Sequence, residues 1–382
     1  MMLETADVFR RFGPSYIDKY GSSMPISHKR AISDIAACRT SAMGGHVYQC
    51  DDCGQKLYVY HACRNRSCPA CHKRQTEDWL SKRELEILPS DYFHITATIP
   101  SQLRSVFRSN QKDMYSLFFS VASDAILELI GDEKYLHAKA GMLAVLHTWT
   151  GELHYHPHIH FLVTGGGVDD QGQWVPSKPK FLIPVKALSK LIRGKFAYCL
   201  RKKHPELYHS IDNQVWQKEW VCHSIHYGKG NKAVLNYLSR YVHRVAITNS
   251  RILDIDDEYV TFRYKDRKAK QFKICKVPNE EFIRRYLQHV LPKGLHKVRY
   301  YGIWHSSHKH HVLKLIKLMD IFDDCPQPET KEVAAEQMQP IATPRCPHCK
   351  SEHLTLIEKL PRPRARSPSI SNILKRLQAH NQ

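Results

Sequence analysis

His156-Pro157-His158-Ile159-His160-Phe161-Leu162-Val163 is the stretch on which the reading of this chain turns. Two histidines flank one apolar residue and lead into a hydrophobic run that ends at Gly165-Gly166-Gly167. Side chains alternate faces along a strand, so His158 and His160 share a face while Ile159 turns into a core. Two imidazoles on one face, with no cysteine beside them, are an incomplete ligand set that leaves a divalent cation open to water or substrate. The third ligand is expected from His147, on the preceding strand-like run Met142–Trp149. His156 is the second choice, because Pro157 disturbs regular pairing.

About 80 residues downstream, Tyr237-Leu-Ser-Arg-Tyr241 places two phenols one helical turn apart. Such a pair on its own reads as core packing. Here the same segment carries Arg240, His243 and Arg244, cations suited to a phosphate backbone, and a metal set lies upstream. A phenol ionises only near pH ~10, so as a nucleophile it needs a positive surrounding and a polarised phosphorus. Its attack on DNA would leave a 5′-phosphotyrosine and a free 3′-OH, keeping the bond energy for rejoining.

The bulk composition agrees with a polyanionic partner. Lys and Arg number 57 against 37 Asp and Glu, a formal charge of +20, with a sequence pI of about 9.4. Such an excess on a chain with ample core material favours nucleic acid. No run approaches the roughly 20 apolar residues of a spanning helix, and the N-terminus has no signal pattern. The expected place is a bacterial cytoplasm, at the nucleoid, with no membrane partner. In that compartment the 12 cysteines are reduced or metal-bound.

Cys50-Asp-Asp-Cys53 and Cys68-Pro-Ala-Cys71 are two CxxC pairs with 14 residues between them. Two such turns offer the tetrahedral set that structural zinc prefers, so these four are expected to hold one Zn2+ in a ribbon. Cys38, Cys63, His46 and His61 are near enough to compete. Arg64, Arg66, Lys73 and Arg74 surround the cluster and make it a candidate DNA-contacting finger. Cys346-Pro-His-Cys349 is half of a similar site, with Cys325 or His353 as completions.

Helices are expected over Ala6–Tyr20, Ser27–Thr40, Glu77–Leu88, Tyr115–Ile130, Ala187–Leu200, Lys232–Val245, Glu280–Val290 and His308–Met319. Strands are expected over Tyr92–Ile99, Met142–Trp149, His158–Val163, Phe181–Pro184, Val221–His226, Val260–Tyr264, Lys270–Val277 and Lys297–Ile303. Strands mixed with helices, without a regular βαβ period, argue an α+β fold around an antiparallel sheet. Three segments follow: a zinc-binding, DNA-contacting domain at 1–90, a catalytic domain at 91–322, and at 323–382 a linker with the CxxC knuckle and a basic, disordered tail.

The chain resembles the HUH-type, two-tyrosine rolling-circle transposases of the insertion-sequence 91 family. The resemblance runs from about Ala31 to Trp304. It is carried by His61-Ala-Cys-Arg-Asn-Arg-Ser-Cys-Pro-Ala-Cys71, Ala144-Val-Leu-His-Thr-Trp149, Tyr155-His-Pro-His-Ile-His160 with Gly165-Gly-Gly167, and Tyr237-Leu-Ser-Arg-Tyr-Val-His-Arg-Val-Ala-Ile247. Glu281-Phe-Ile-Arg-Arg-Tyr-Leu-Gln-His-Val-Leu-Pro-Lys-Gly294 and Tyr300-Tyr-Gly-Ile303 continue it. Ser67 departs from the pattern, which usually has histidine there. The resemblance implies an HUH-nuclease antiparallel sheet with helices packed behind it. It implies His158 and His160 as metal ligands, Tyr237 and Tyr241 as nucleophiles, and Zn2+ on the N-terminal cysteines; Mg2+ or Mn2+ suits nucleic-acid work at the histidines, and Tyr237 is taken first although the spacing does not rank the two tyrosines. The activity implied is nicking and strand transfer on single-stranded or hairpin DNA at element ends. Other readings are a plasmid or phage replication initiator and a non-catalytic zinc-ribbon regulator.

Overall fold

The computed structural model describes residues 3–71, 87–230, 234, 237, 241–242, 244–266, 269–308 and 345–362. The first third contains α1 (Thr5–Tyr20), α2 (Ile26–Ala36), β1 (Gly45–Cys50), β2 (Lys56–Tyr60), β3 (Asp91–Thr98) and α3 (Gln111–Gly131). Then come β4 (Lys139–Trp149), β5 (Tyr155–Val168), β6 (Trp174–Pro176), α4 (Val185–Lys203) and β7 (Val221–Lys229). The remainder holds β8 (Ile252–Ile255), β9 (Tyr259–Lys265), β10 (Phe272–Pro278), α5 (Asn279–Leu287), β11 (Val298–Gly302) and β12 (Leu354–Leu360). One- and two-turn helices lie between some of these. The fold is α+β with antiparallel pairing throughout, as its unperiodic mixture of elements predicts.

Two compact units form. The described parts of Lys73–Ala246 and Gln288–Asp324 make the unit that carries the histidines. Its sheet has the order β11-β4-β5-β3-β7, with β6 paired to the end of β5. Alternation sorts the side chains. Phe93, Ile95 and Ala97 of β3, Ala144 and Leu146 of β4, and Ile159, Phe161 and Val163 of β5 point into one core with α3 and α4. Phe161 is fully buried there, and truncating such a residue to alanine costs about 3–5 kcal/mol. Helix α3 is long and apolar enough to cross a membrane by length and composition. Its Met114, Phe118 and Ile126 are instead packed in this core.

The glycine run does not end β5, as the sequence suggests; the strand continues through it to Val168. Neighbouring strands crowd it instead. A Cβ on Gly166 would lie 2.4 Å from the Trp174 ring, and one on Gly167 would lie 2.8 Å from the Lys139 carbonyl carbon.

The other unit joins the described parts of Met1–His72, Ile247–Leu287 and Cys325–Gln382. Helices α1 and α2 pack together, and a second three-stranded sheet, β10-β9-β8, packs with α5. Phe9 meets Tyr286 edge-on at 5.1 Å, and Arg11 donates to the Ile255 carbonyl at 2.6 Å. This division differs from the segments 1–90, 91–322 and 323–382. Residues 247–287 join the N-terminal unit, and so does the C-terminal CxxC segment, because β12 adds to β1 in a sheet ordered β12-β1-β2.

A further difference lies at Phe181–Pro184, expected as a strand. It is a bend whose Leu182 and Ile183 fill the core, leading through Pro184 into α4. Its apolar pattern reflects burial, and proline has no N–H for a ladder. Most of the expected helices Glu77–Leu88 and Lys232–Val245, all but the first residue of His308–Met319, and the basic tail beyond residue 362 lie outside the described residues.

Candidate active site

The face of the sheet opposite α3 and α4 carries the histidines. His147 of β4 and His158 of β5 are directly paired across the strands, and His160 stands opposite Val145 and Thr96. Their rings converge, with the His158 and His160 centroids 4.7 Å apart and His147 4.7 Å from His160. One nitrogen from each of the three lies within 4.8 Å of the others. Three nitrogens held so close in a buried pocket could hold a metal ion.

Two of the rings are anchored by hydrogen bonds to backbone carbonyls. His147 Nε2 donates to the Tyr241 carbonyl at 2.7 Å, and His158 Nδ1 donates to the His156 carbonyl at 2.7 Å. Ligating histidines are usually anchored in this way, by a hydrogen bond from the second ring nitrogen to a carbonyl. Burial first, then the charges of His158, Lys297 and Arg244, hold the His147 pKa well below its usual 6.5. The ring is therefore neutral, as a ligand must be. His156 turns elsewhere, its Nδ1 accepting from Arg104 at 2.8 Å.

His94, which no sequence motif singles out, also lines the pocket. Its Nε2 is 2.9 Å from His160 Nδ1 and 3.1 Å from Thr96 Oγ1. A histidine two residues before a threonine on an alternating strand is an available signal, since both must face the same side as Tyr92.

Tyr237 and Tyr241, both in helical conformation, approach this same face. The Tyr241 ring lies 4.3 Å from that of His160 and 4.9 Å from that of His94. Tyr237 lies one layer further in, 4.8 Å from Tyr241 and 5.3 Å from His94. Tyr241 is half-buried, whereas Tyr237 is 0% exposed, its hydroxyl buried with no hydrogen-bond partner among the described residues. Burial, then the neighbouring Tyr241 and Tyr227, pushes the Tyr237 pKa well above 10.0.

The cysteines assemble differently from the single ribbon expected of Cys50, Cys53, Cys68 and Cys71. Cys68 and Cys71 join Cys38 and Cys63, while Cys50 and Cys53 join Cys346 and Cys349. Strand geometry is the cause. After Cys53 the chain runs along β2, five residues and about 16 Å, so the two CxxC turns stand at opposite ends of the hairpin. In the first set Cys71 Sγ is 3.6 Å from both Cys38 and Cys63 Sγ. The Cys63 amide donates to Cys38 Sγ at 3.4 Å. His46 and His61 face each other at 3.3 Å and belong to neither set.

Arg64 and Arg66 are exposed on the loop that carries Cys63 and Cys68, and Arg244 is exposed after Tyr241. Lys73, Arg74, Arg240 and His243 lie outside the described residues.

An anchored three-histidine pocket with tyrosines against it, on an antiparallel sheet, in a chain that also gathers cysteines for zinc, defines a class of nucleic-acid-processing protein. The comparisons give its kind. Residues 141–311 match a family described as putative transposase, and residues 8–99 match the transposase zinc-binding domain of the insertion-sequence 91 type. The putative transposase y4qJ of Sinorhizobium fredii is 35% identical over 380 residues, 93% of this chain and 95% of that protein. The transposase for insertion sequence element IS801 of Pseudomonas savastanoi pv. phaseolicola is 26% identical, over 71% of this chain and 68% of that protein. No solved structure matches. The chain belongs to the insertion-sequence 91 family of transposases. Its N-terminal region is accordingly a zinc-binding domain, to which the set Cys38, Cys63, Cys68 and Cys71 supplies four thiols.

Proposed function

We propose that this transposase nicks single-stranded or hairpin DNA at element ends, in a bacterial cytoplasm at the nucleoid, and transfers the strand by a rolling-circle-like route through a 5′-phosphotyrosine. The observation that carries the reading is the packing of Tyr241 against His160 beside the anchored His147–His158 pair. Tyr241 attacks first: its oxygen bonds to phosphorus, the bond from phosphorus to the 3′ oxygen breaks, and that oxygen takes up a proton as the phenol loses one. Tyr237, sealed beneath it, is the second acceptor. Rejoining reverses the same exchange with another 3′-OH.

His147, His158 and His160 fit a divalent cation, which when bound would polarise the scissile phosphate. An all-nitrogen set suits Mn2+ better than Mg2+, which prefers oxygen. His94 orients His160 through its 2.9 Å contact. The exposed Arg64, Arg66 and Arg244 would contact backbone phosphates, with Lys73, Arg74, Arg240 and His243 as sequence candidates for the same role.

The test is cleavage of labelled single strands carrying element ends by metal-stripped protein. Re-adding Mn2+, and less effectively Mg2+, should yield a covalent protein–DNA adduct that survives denaturation. Salt-sensitive DNA binding without any metal-dependent adduct would leave the regulator reading in its place.

A further inference from the structure

We propose that Cys50, Cys53, Cys346 and Cys349 form a second structural zinc site, a clasp with half its ligands from either end of the chain. The ion would make the C-terminal strand part of the N-terminal zinc-binding domain. The family match stops at residue 99 and contains only half of these ligands.

The two CxxC segments fold as copies of one turn. In the first, the Gly54 amide donates to the Cys50 carbonyl at 2.8 Å and the Cys50 amide donates to the Gln55 carbonyl at 2.9 Å. In the second, the Lys350 amide donates to the Cys346 carbonyl at 2.9 Å and the Cys346 amide donates to the Ser351 carbonyl at 2.8 Å. The residue after the second cysteine is left-handed in both, with φ of 72° at Gly54 and 65° at Lys350. Turns of this form present both sulfurs on one side.

The sulfurs meet at the right spacing. Cys50 Sγ is 3.4 Å from Cys349 Sγ, Cys53 Sγ is 3.6 Å from Cys346 Sγ, and all four lie within 4.8 Å of one another. A tetrahedron with Zn–S bonds of ~2.3 Å has edges of roughly 3.8 Å. The separations exceed the ~2.05 Å of a disulfide, and all four thiols are free. Four protein ligands leave no open position, so the ion would be structural rather than catalytic.

The rest of the C-terminal segment is seated to match. Strand β12 pairs antiparallel with β1 from Cys50↔Leu354 to Gly45↔Leu360. The Asp51 amide donates to the His353 carbonyl at 3.1 Å. At the far end Gly44 makes room: with φ of 68°, a Cβ there would lie 2.7 Å from the Leu360 carbonyl oxygen. The sequence that follows is Pro361-Arg-Pro-Arg-Ala-Arg366, so the clasp would tether this basic stretch to the zinc-binding domain.

The test is elemental analysis of the full-length chain. Zinc should fall by one equivalent in Cys346→Ser/Cys349→Ser. It should fall by the same single equivalent when Cys50→Ser and Cys53→Ser are added, because both pairs hold one ion. The C-terminal double variant leaves Cys38, Cys63, Cys68 and Cys71 intact, and its remaining zinc reports that this domain is folded. Unchanged zinc in that variant, loss of a further equivalent in the quadruple variant, or loss of all zinc in either would overturn the clasp. A Cys50–Cys349 disulfide found by mass spectrometry of the unreduced protein would overturn it as well. Limited proteolysis gives a second readout: cleavage within residues 345–362 should be at least several-fold faster in the double variant. Equal rates would refute the tether.

Discussion

The sharpest prediction of the proposed mechanism is that the two tyrosines are not interchangeable. Tyr237 has a fully buried ring and a hydroxyl with no partner among the described residues. A buried, unsatisfied hydroxyl costs about 1–3 kcal/mol, so Tyr237→Phe should leave the fold intact and stabilise it by roughly 1 kcal/mol. In a unit of this size that raises the melting temperature by about 2–4 °C. The first nick should survive, because the ring against His160 is Tyr241, at 4.3 Å. Tyr241→Phe should instead abolish the first covalent adduct with little change in melting, since that residue is half-buried. The assay is denaturing electrophoresis of adducts formed on a single-turnover oligonucleotide, beside thermal melts of both variants. Tyr237→Phe should then fail at the second transfer and accumulate nicked, unjoined product. An adduct lost in Tyr237→Phe but kept in Tyr241→Phe would invert the assignment and refute the reasoning from burial.

Two further outcomes are expected. His94→Ala should weaken Mn2+ binding by about 10–100-fold, the usual cost of losing an anchor on a ligating histidine. His94→Gln, which keeps an acceptor for His160 Nδ1, should restore part of it in calorimetric titration; equal affinity in all three proteins would dismiss the role. His289 accepts from Thr148 at 3.1 Å, donates to the Leu153 carbonyl at 3.1 Å, and has its pKa lowered from 6.5 to about 4, chiefly by burial. A depressed histidine contributes stability that is present above pH 6.5 and lost as pH falls from 6.5 through about 4. At 1.36 kcal/mol per pKa unit that is at most about 3 kcal/mol. Denaturant melts of His289→Gln should be correspondingly flatter between these pH values than those of the parent chain, and parallel curves would exclude the histidine.

Much of the catalytic unit was legible because burial imposes period two on its strands. The alternation that put His158 and His160 together also put Ile159 and Phe161 in the opposite core, and both follow from one pleat. What a single strand could not reveal was its neighbours. His94 belongs to the site only because β3 lies beside β5. The glycine run lies in a continuous strand, where Asp91, Trp174 and Lys139 leave no room for a Cβ. The tyrosines could be found but not ranked, since their spacing gives a shared helix face and says nothing of depth. The cysteines failed in the same way. Spacing identifies a CxxC turn, but which two turns share an ion depends on where the intervening strand delivers the chain. Here β2 carries it away from Cys50 and Cys53, and β12 brings another turn to them.

The pocket joins two kinds of support. Two of the proposed ligands stand on β5, the middle strand of its sheet, and the third on β4 beside it, where ladders on both sides resist displacement. The tyrosines belong to a different segment, and the hydrogen bond from His147 Nε2 to the Tyr241 carbonyl ties that segment to the ligand set. In the proposed site one imidazole would serve both tasks: Nδ1 would hold the cation, and Nε2 holds the backbone from which the phenol projects. On the proposed mechanism, that hydrogen bond would set the spacing between the Tyr241 phenol and a phosphate held at the cation. The proposed mechanism, in which the phenol would later release its strand, fits such a tie, because a single hydrogen bond, at about 0.5–1.5 kcal/mol net, holds position without locking it.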